Sequence, residues 1–268
     1  AEARSISRLF LTETSRNLVR VFLLQERLKE LGGKTNVPIE RVHVVGAGVM
    51  GGDIAAWCAQ RGLNVLPIYR ELQYITPALQ RAREGFEKRL RDRDKAAVLM
   101  TRLTPDVAGD GVPNADVVLE AIFENADAKH ELFARVEPSM KSSAILATNT
   151  SSIMLEQLDD RLPDPTRLVG VHFFNPVAQL PLVEIVRGEN TSEESIQKAI
   201  AFTRRIDKLP LPCKSSPGFL VNRVLVPYLY EAMFALQDGI PIEIIDDAAL
   251  EFGMPVGPIT LLDMVGID

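Results

Sequence analysis

An α/β fold is predicted for this chain: a parallel sheet preceded by a helix and followed by a short all-helical unit. Three observations predict it. Short apolar runs alternate with helical patterns from Arg41 onward, the signature of right-handed βαβ units. A glycine-rich turn joins the first apolar run to the first of those helices. After "PCKSSPGF" the strand-like runs stop and helical periodicity takes over. The expected divisions are residues 1–40, a linker helix; 41–214, the α/β domain; and 215–268, the start of a helical domain.

In "TETSRNLVRVFLLQERLKELGG", Ser15 or Thr12 can cap a helix that Gly32-Gly33 stops, with Leu18, Val21, Phe22, Leu28 and Leu31 at helical spacing. The plain expectation is a surface helix whose apolar stripe packs on the next part of the chain; a partner-binding or linker helix is the alternative. "RVHVVGAG" reads as a buried strand, "VMGGDIAAWCAQRG" as a helix ending at Gly62, and "NVLPIY" as a second strand. A charged helical stretch runs from about Thr76 to Leu99, then come the apolar run "ADVVLEAI", the helix "NADAKHELFARVEPSM" and the strand "AILATNT". "LVNRVLVPYLYEAMFALQDG" and "PIEIIDDAALEFG" are helical by period. The helical unit that begins near Pro217 is small for a core of its own. Either it packs on the α/β part or the natural protein continues.

Composition excludes several functions. Of 268 residues 46% are hydrophobic and 25% charged, ordinary for a globular protein. A net charge of -6 supplies no basic field for nucleic acid. The two cysteines, Cys58 and Cys213, lack ligand spacing, which argues against a disulfide scaffold or structural zinc. No apolar run has the roughly 18 residues of a membrane span, and no signal-peptide pattern opens the chain. The expected location is cytoplasmic, with any targeting segment cut away ahead of Ala1.

Gly46-x-Gly48-x-x-Gly51 follows a strand and opens a helix, the context in which this spacing binds a dinucleotide. Gly46 permits a tight turn, Gly48 a close approach of backbone to pyrophosphate, and Gly51 close packing of helix on strand. The helix N-terminus adds free N–H groups and partial positive charge. The alternative, a turn that merely packs, is disfavoured by the context. The parallel sheet is therefore Rossmann-type. Ligands of such sheets lie beyond the carboxyl ends of the strands, where Glu120 ends one run and Glu124 and Lys129 come next. These reach toward the ribose or nicotinamide, unless they are a solvated helix face. Thr148 to Ser152, "TNTSS", ends the next strand and offers hydroxyls, unless it is an ordinary turn or N-cap.

"VGVHFFNPVAQLPLVE" contains His172, one of three histidines, and Glu184 twelve positions later. A buried imidazole and a buried carboxylate are costly unless they satisfy each other. If the two segments are adjacent strands, the pair can take the proton that oxidation of an alcohol releases, with the carboxylate fixing the tautomer. His43 and His130 read instead as satisfied core residues.

These motifs resemble the L-3-hydroxyacyl-CoA dehydrogenase family, especially the dehydrogenase part of the multifunctional fatty-acid β-oxidation enzyme. The matching stretches are "VVGAGVMGGDIA", "EAIFENADAKHELF", "ATNTSSI", "GVHFFNPV", "LVEIV", "CKSSPGFLVNR" and "GMPVGPITLLDMVGID", in family order from about Arg41 to Asp268. The N-terminal segment resembles the linker helix that comes after the hydratase part of multifunctional members. The resemblance implies NAD-dependent oxidation of L-3-hydroxyacyl-CoA to 3-ketoacyl-CoA, with His172 as general base, Glu184 as its orienting carboxylate, and Ser151 and Asn222 near the reacting oxygen. It places the NAD pyrophosphate on Gly46, Gly48 and Gly51 and the nicotinamide half near Glu120 and Lys129, with Val49, Met50, Tyr69, Arg70 and Asn149 as further cofactor-binding residues. The acyl-CoA would lie between the two domains. A homodimer, a hydratase part elsewhere in the full-length chain and a thiolase subunit in a complex are the implied partners. Two departures stand out. Tyr69, with Arg70 and Glu71 after it, occupies the place of the acidic residue that usually meets the adenosine ribose, and the family's helical domain is longer, which makes this one truncated. Two rivals remain: another NAD(P)-dependent hydroxyacid dehydrogenase, disfavoured because those families commonly use a lysine base, and a fragment that binds cofactor or a partner without turnover.

Overall fold

A computed structural model describes residues 2–31, 38–46, 48–68 and 72–265. Its two compact units are Ala1–Ser215 and Ser216–Asp268. The first is built on seven strands: β1 (Arg41–Val45), β2 (Asn64–Ile68), β3 (Val117–Glu120), β4 (Ile145–Thr148), β5 (Leu168–Phe173), β6 (Leu182–Arg187) and β7 (Leu209–Lys214). They form one sheet in the order β2-β1-β3-β4-β5-β6-β7. The first five strands are parallel to their neighbours. β6 runs antiparallel to β5, and β7 parallel to β6. The sheet is thus mixed rather than wholly parallel, because only residues 174–181 separate β5 from β6. A parallel crossover needs about a dozen residues or more, whereas an antiparallel return can be short.

The helices of this unit are α1 (Glu2–Phe10), α2 (Glu13–Glu30), α3 (Val49–Gln60), α4 (Leu72–Leu90), α5 (Arg93–Met100), α6 (Ala126–Val136), α7 (Glu156–Asp159) and α8 (Glu193–Arg205). His43, His172 and Glu184 apart, the buried strand interiors are mainly apolar, as expected of strands covered on both faces. Val42, Val44, Val117, Leu119, Ala147, Val169 and Val171 share one core with Ile54, Ala55 and Cys58 of α3 and with Ile196, Ala199 and Ile200 of α8. Burial pushes the Cys58 thiol up to about 12, against the opposing influence of Lys208 and Arg205.

Two predicted helices are each broken in two. Near the N-terminus Thr12, not Ser15, is the cap of α2: its hydroxyl accepts from Ser15 N–H at 3.2 Å and donates to Leu9 carbonyl at 2.7 Å. The stripe expected to pack is exposed, with Leu18 at 66% and Phe22 at 57%. Contact with the sheet domain is made by the end of α2, where Leu31 packs on the core and its carbonyl accepts from Arg204 at 3.3 Å. The Gly32-Gly33 stop lies outside the described residues. The charged stretch from Thr76 is α4 and α5, divided at Arg91, which adopts φ 51°, and at Asp92, whose carboxylate accepts from the N–H groups of Asp94 and Lys95. α4 buries Ile75, Ala78, Ala82 and Phe86 on one face, the spacing a core-facing helix requires.

The second unit comprises α9 (Val221–Gln237), α10 (Ile242–Phe252) and α11 (Pro258–Val265). Asp246 of α10 holds the start of α11, accepting from Ile259 N–H at 2.8 Å, Thr260 N–H at 3.0 Å and the Thr260 hydroxyl at 2.6 Å. Among the described residues no helix is long and apolar enough to cross a membrane.

Candidate active site

The glycine-rich turn leaves β1 and enters α3. Gly46 has φ +124°, and a Cβ there would stand 2.1 Å from the Ala121 carbonyl oxygen. A Cβ on Gly51 would stand 1.7 Å from the Gly46 carbonyl oxygen. The protein itself therefore compels both glycines. At Gly48 a Cβ would meet nothing within 4 Å, so the backbone there borders open space. That opening, at the amino end of a 12-residue helix, fits a pyrophosphate. Val49 is 56% exposed at this end, while Met50 packs on the core. Arg81 of α4 donates to the Gly48 carbonyl at 3.3 Å. Tyr69 and Arg70, expected at the adenosine ribose, lie outside the described residues.

Glu120, at the end of β3, is completely buried. Its Oε1 accepts from Ile122 N–H and Lys129 Nζ, each at 2.7 Å, and its Oε2 from the Thr148 hydroxyl at 2.6 Å. Lys129 is also buried and lies 3.2 Å from Glu124 Oε2. The structure thus engages the two charges expected at the nicotinamide with each other. Glu124 gathers the loop beyond β4: its Oε1 accepts from the Thr150 hydroxyl, Ser151 N–H at 3.1 Å, and Ser152 N–H and hydroxyl at 3.2 and 3.1 Å. Burial raises the Glu124 carboxyl, but the bonds from Thr150, Lys129 and Ser152 outweigh it and hold the group below its ordinary range. Ser151 is exposed on this loop. Asn149 Oδ1 accepts from Phe173 N–H at 2.8 Å, tying the end of β4 to the end of β5.

The dyad residues do meet. His172 and Glu184 are direct partners in the β5–β6 register, and His172 Nδ1 lies 2.7 Å from Glu184 Oε2. Glu184 is wholly buried and His172 is 6% exposed. An ionised carboxylate only accepts, so a bond to ionised Glu184 places the ring proton on Nδ1. The Phe174 ring meets the imidazole edge-on, with centroids 4.7 Å apart. Asn222 belongs to the first turn of α9 in the second unit.

His43 and His130 are buried as expected, but they are not the satisfied residues the sequence suggested. Neither His43 ring nitrogen hydrogen-bonds to the protein, and Asp106 stands 3.9 Å away. Burial lowers its imidazole to about 4, against the pull of Asp106. His130 Nε2 is 3.1 Å from Asp160 Oδ1, outside hydrogen-bond geometry. Sequence reasoning missed Thr148 as a partner of Glu120. The signal lies only in the β3–β4 register, where Glu120 and Thr148 face each other.

Comparison with known proteins bears on this geometry. The profile described as 3-hydroxyacyl-CoA dehydrogenase, NAD binding domain, matches residues 41–216, and that of the C-terminal domain matches residues 218–268. The chain is 34% identical over 274 residues to the fatty acid oxidation complex subunit alpha of Acinetobacter baylyi; the alignment takes in 100% of this chain and 38% of that protein. It therefore spans well under half the length of that curated relative. FadB2 of M. tuberculosis superposes with a TM-score of 0.82 at 33% identity, over 85% of this chain and 83% of that one. (S)-3-hydroxybutyryl-CoA dehydrogenase of Ralstonia eutropha gives 0.81 at 34% identity, over 85% and 83%.

Proposed function

Because the chain belongs to the 3-hydroxyacyl-CoA dehydrogenase family and carries its NAD-binding domain, we propose that it catalyses NAD-dependent oxidation of L-3-hydroxyacyl-CoA to 3-ketoacyl-CoA in fatty-acid β-oxidation. When bound, NAD supplies the hydride acceptor. Its pyrophosphate would lie at Gly48 and the start of α3, where the backbone borders open space.

The chain's own residues manage the proton. His172 Nε2 accepts it from the 3-hydroxyl, while Nδ1–H keeps its bond to Glu184. The carboxylate then faces an imidazolium, and the attraction between them is strong because both groups are removed from water. Ser151 donates to the reacting oxygen. The observation that carries this reading is the 2.7 Å contact between two buried residues that face each other across one strand pair. The substrate is an acyl-CoA thioester. A hydratase part of the full-length protein, a thiolase subunit and a second copy of the chain are the partners we propose with it.

Assay of acetoacetyl-CoA reduction with NADH tests the proposal. His172→Gln is expected to lower turnover about 100- to 10,000-fold while NADH affinity stays near that of the parent. Parental turnover in the variant would remove the dyad from the mechanism. A parent that binds NADH but never turns over acetoacetyl-CoA would overturn the proposal for this chain.

A further inference from the structure

Lys208, the residue before β7, is 4% exposed. Its ammonium donates to the carbonyls of Val177 and Leu180, the latter at 2.7 Å. Both carbonyls belong to residues 174–181, the return that leaves His172 on β5 and delivers Glu184 on β6. The same ammonium lies 4.1 Å from the centroid of the Trp57 ring. Trp57 is part of α3, the helix that the glycine-rich turn opens, and its indole N–H donates to the Ile206 carbonyl at 2.8 Å. The Arg61 guanidinium also packs on that ring at 4.4 Å, and pairs with Asp207 at 3.0 Å. Leu209 N–H adds a bond to the Pro181 carbonyl at 2.8 Å.

A lysine so buried is retained only where its protons are used. Here they reach two carbonyls of one irregular segment, and charged donors make the stronger hydrogen bonds. The ring of Trp57 takes the remaining charge in a cation–π contact.

We propose that Lys208 is a positioning residue for the His172–Glu184 dyad: it fixes the return between β5 and β6 through the Val177 and Leu180 carbonyls and fastens that return to the cofactor helix at Trp57. The proposal rests on the reading of the dyad as proton acceptor. Lys208 acts by holding the segment that joins the two dyad strands.

The test compares Lys208→Met, which keeps the apolar stem and loses the donors, with Lys208→Arg, which keeps a charged donor. Two readouts are taken on the full chain: kcat and KM for NADH in acetoacetyl-CoA reduction, and the downfield proton resonance of His172 Nδ1–H. Displacement of catalytic groups by about 1 Å costs on the order of 100-fold in rate. Lys208→Met is therefore expected to lose about 10- to 100-fold in kcat, with KM for NADH unchanged and the resonance weakened or shifted. Lys208→Arg is expected to recover a large part of both. Parental kcat together with a parental resonance in Lys208→Met overturns the proposal. So does equal loss in Met and Arg variants with the resonance intact. If Lys208→Met fails to fold, Lys208→Gln is judged by the same criteria. The two readings fail separately: parental turnover in His172→Gln removes the dyad, whereas loss there with parental Lys208→Met removes only the role of Lys208.

Discussion

Glu120 and Glu184 are both wholly buried carboxylates on strands of one sheet, and they meet different partners. Glu120 meets a lysine ammonium, a threonine hydroxyl and a backbone N–H. Glu184 meets an imidazole. Three donors close the first site, with both carboxylate oxygens engaged. The proposed mechanism asks the second pair to stay in place while the imidazole gains and loses a proton. The partner, rather than the carboxylate, distinguishes a closed ion pair from the proposed proton-accepting dyad.

The sharpest way to break this comparison is to neutralise each carboxylate in turn. Glu184→Gln is expected to reduce turnover about 100-fold or more, with the fold retained. Glu120→Gln is expected to lower unfolding free energy by about 3 kcal/mol, because Lys129 loses its main counter-charge while buried. Urea titration and turnover per folded molecule separate the two outcomes. A Glu120→Gln protein of parental stability but weakened NADH affinity would make Glu120 a cofactor contact after all.

His43 extends the comparison to a buried group with neither kind of partner. Its folded value of about 4 lies below the ordinary 6.5. The unfolded chain therefore takes up a proton as pH falls through 6.5, and the folded chain does so only near 4. Stability is fully present above the first value and lost between the two, by about 3 kcal/mol. Asp106, which faces His43 at 3.9 Å and binds the N–H groups of Gly109, Asp110 and Gly111, is the charged neighbour. Denaturation series at pH 7 and pH 4 on the parent and on His43→Leu check this. The same acid loss in both proteins would assign it elsewhere.

A smaller effect is expected at Tyr69. An acidic side chain in its place would bond the adenosine ribose and repel a 2′-phosphate. Tyr69→Asp is expected to tighten NADH binding by roughly 10-fold, the low end of a hydrogen bond to a charged group, and to widen preference over NADPH. Calorimetric titration of both cofactors measures it; no change in either would mean that Glu71 or another group already makes the contact.

Much of this site was legible in the sequence because its signals are local. Gly46 and Gly51 are dictated by backbone contacts within one βα turn and its neighbouring strand, and the twelve-residue step from His172 to Glu184 suits a strand pair. What escaped was fixed by distant segments. The direction of β6 and β7 comes from the short return that Lys208 holds. The pairing of Glu120 with Thr148 comes from a register between strands 28 residues apart. The break at Arg91 depends on the Asp92 cap inside a stretch whose helical period runs on, so period alone joined α4 and α5, whereas the Thr12 cap was legible.

His172 and Glu184 face each other within an antiparallel ladder, where directly opposed side chains start about 5 Å apart. Their spacing is therefore inherited from sheet geometry. Over evolutionary time the side chains of the return are free to drift, so long as its backbone carbonyls stay where Lys208 holds them. A single deletion in β6 ahead of Glu184 is another matter: it would turn every side chain after it to the opposite face, removing the carboxylate from the histidine in one step.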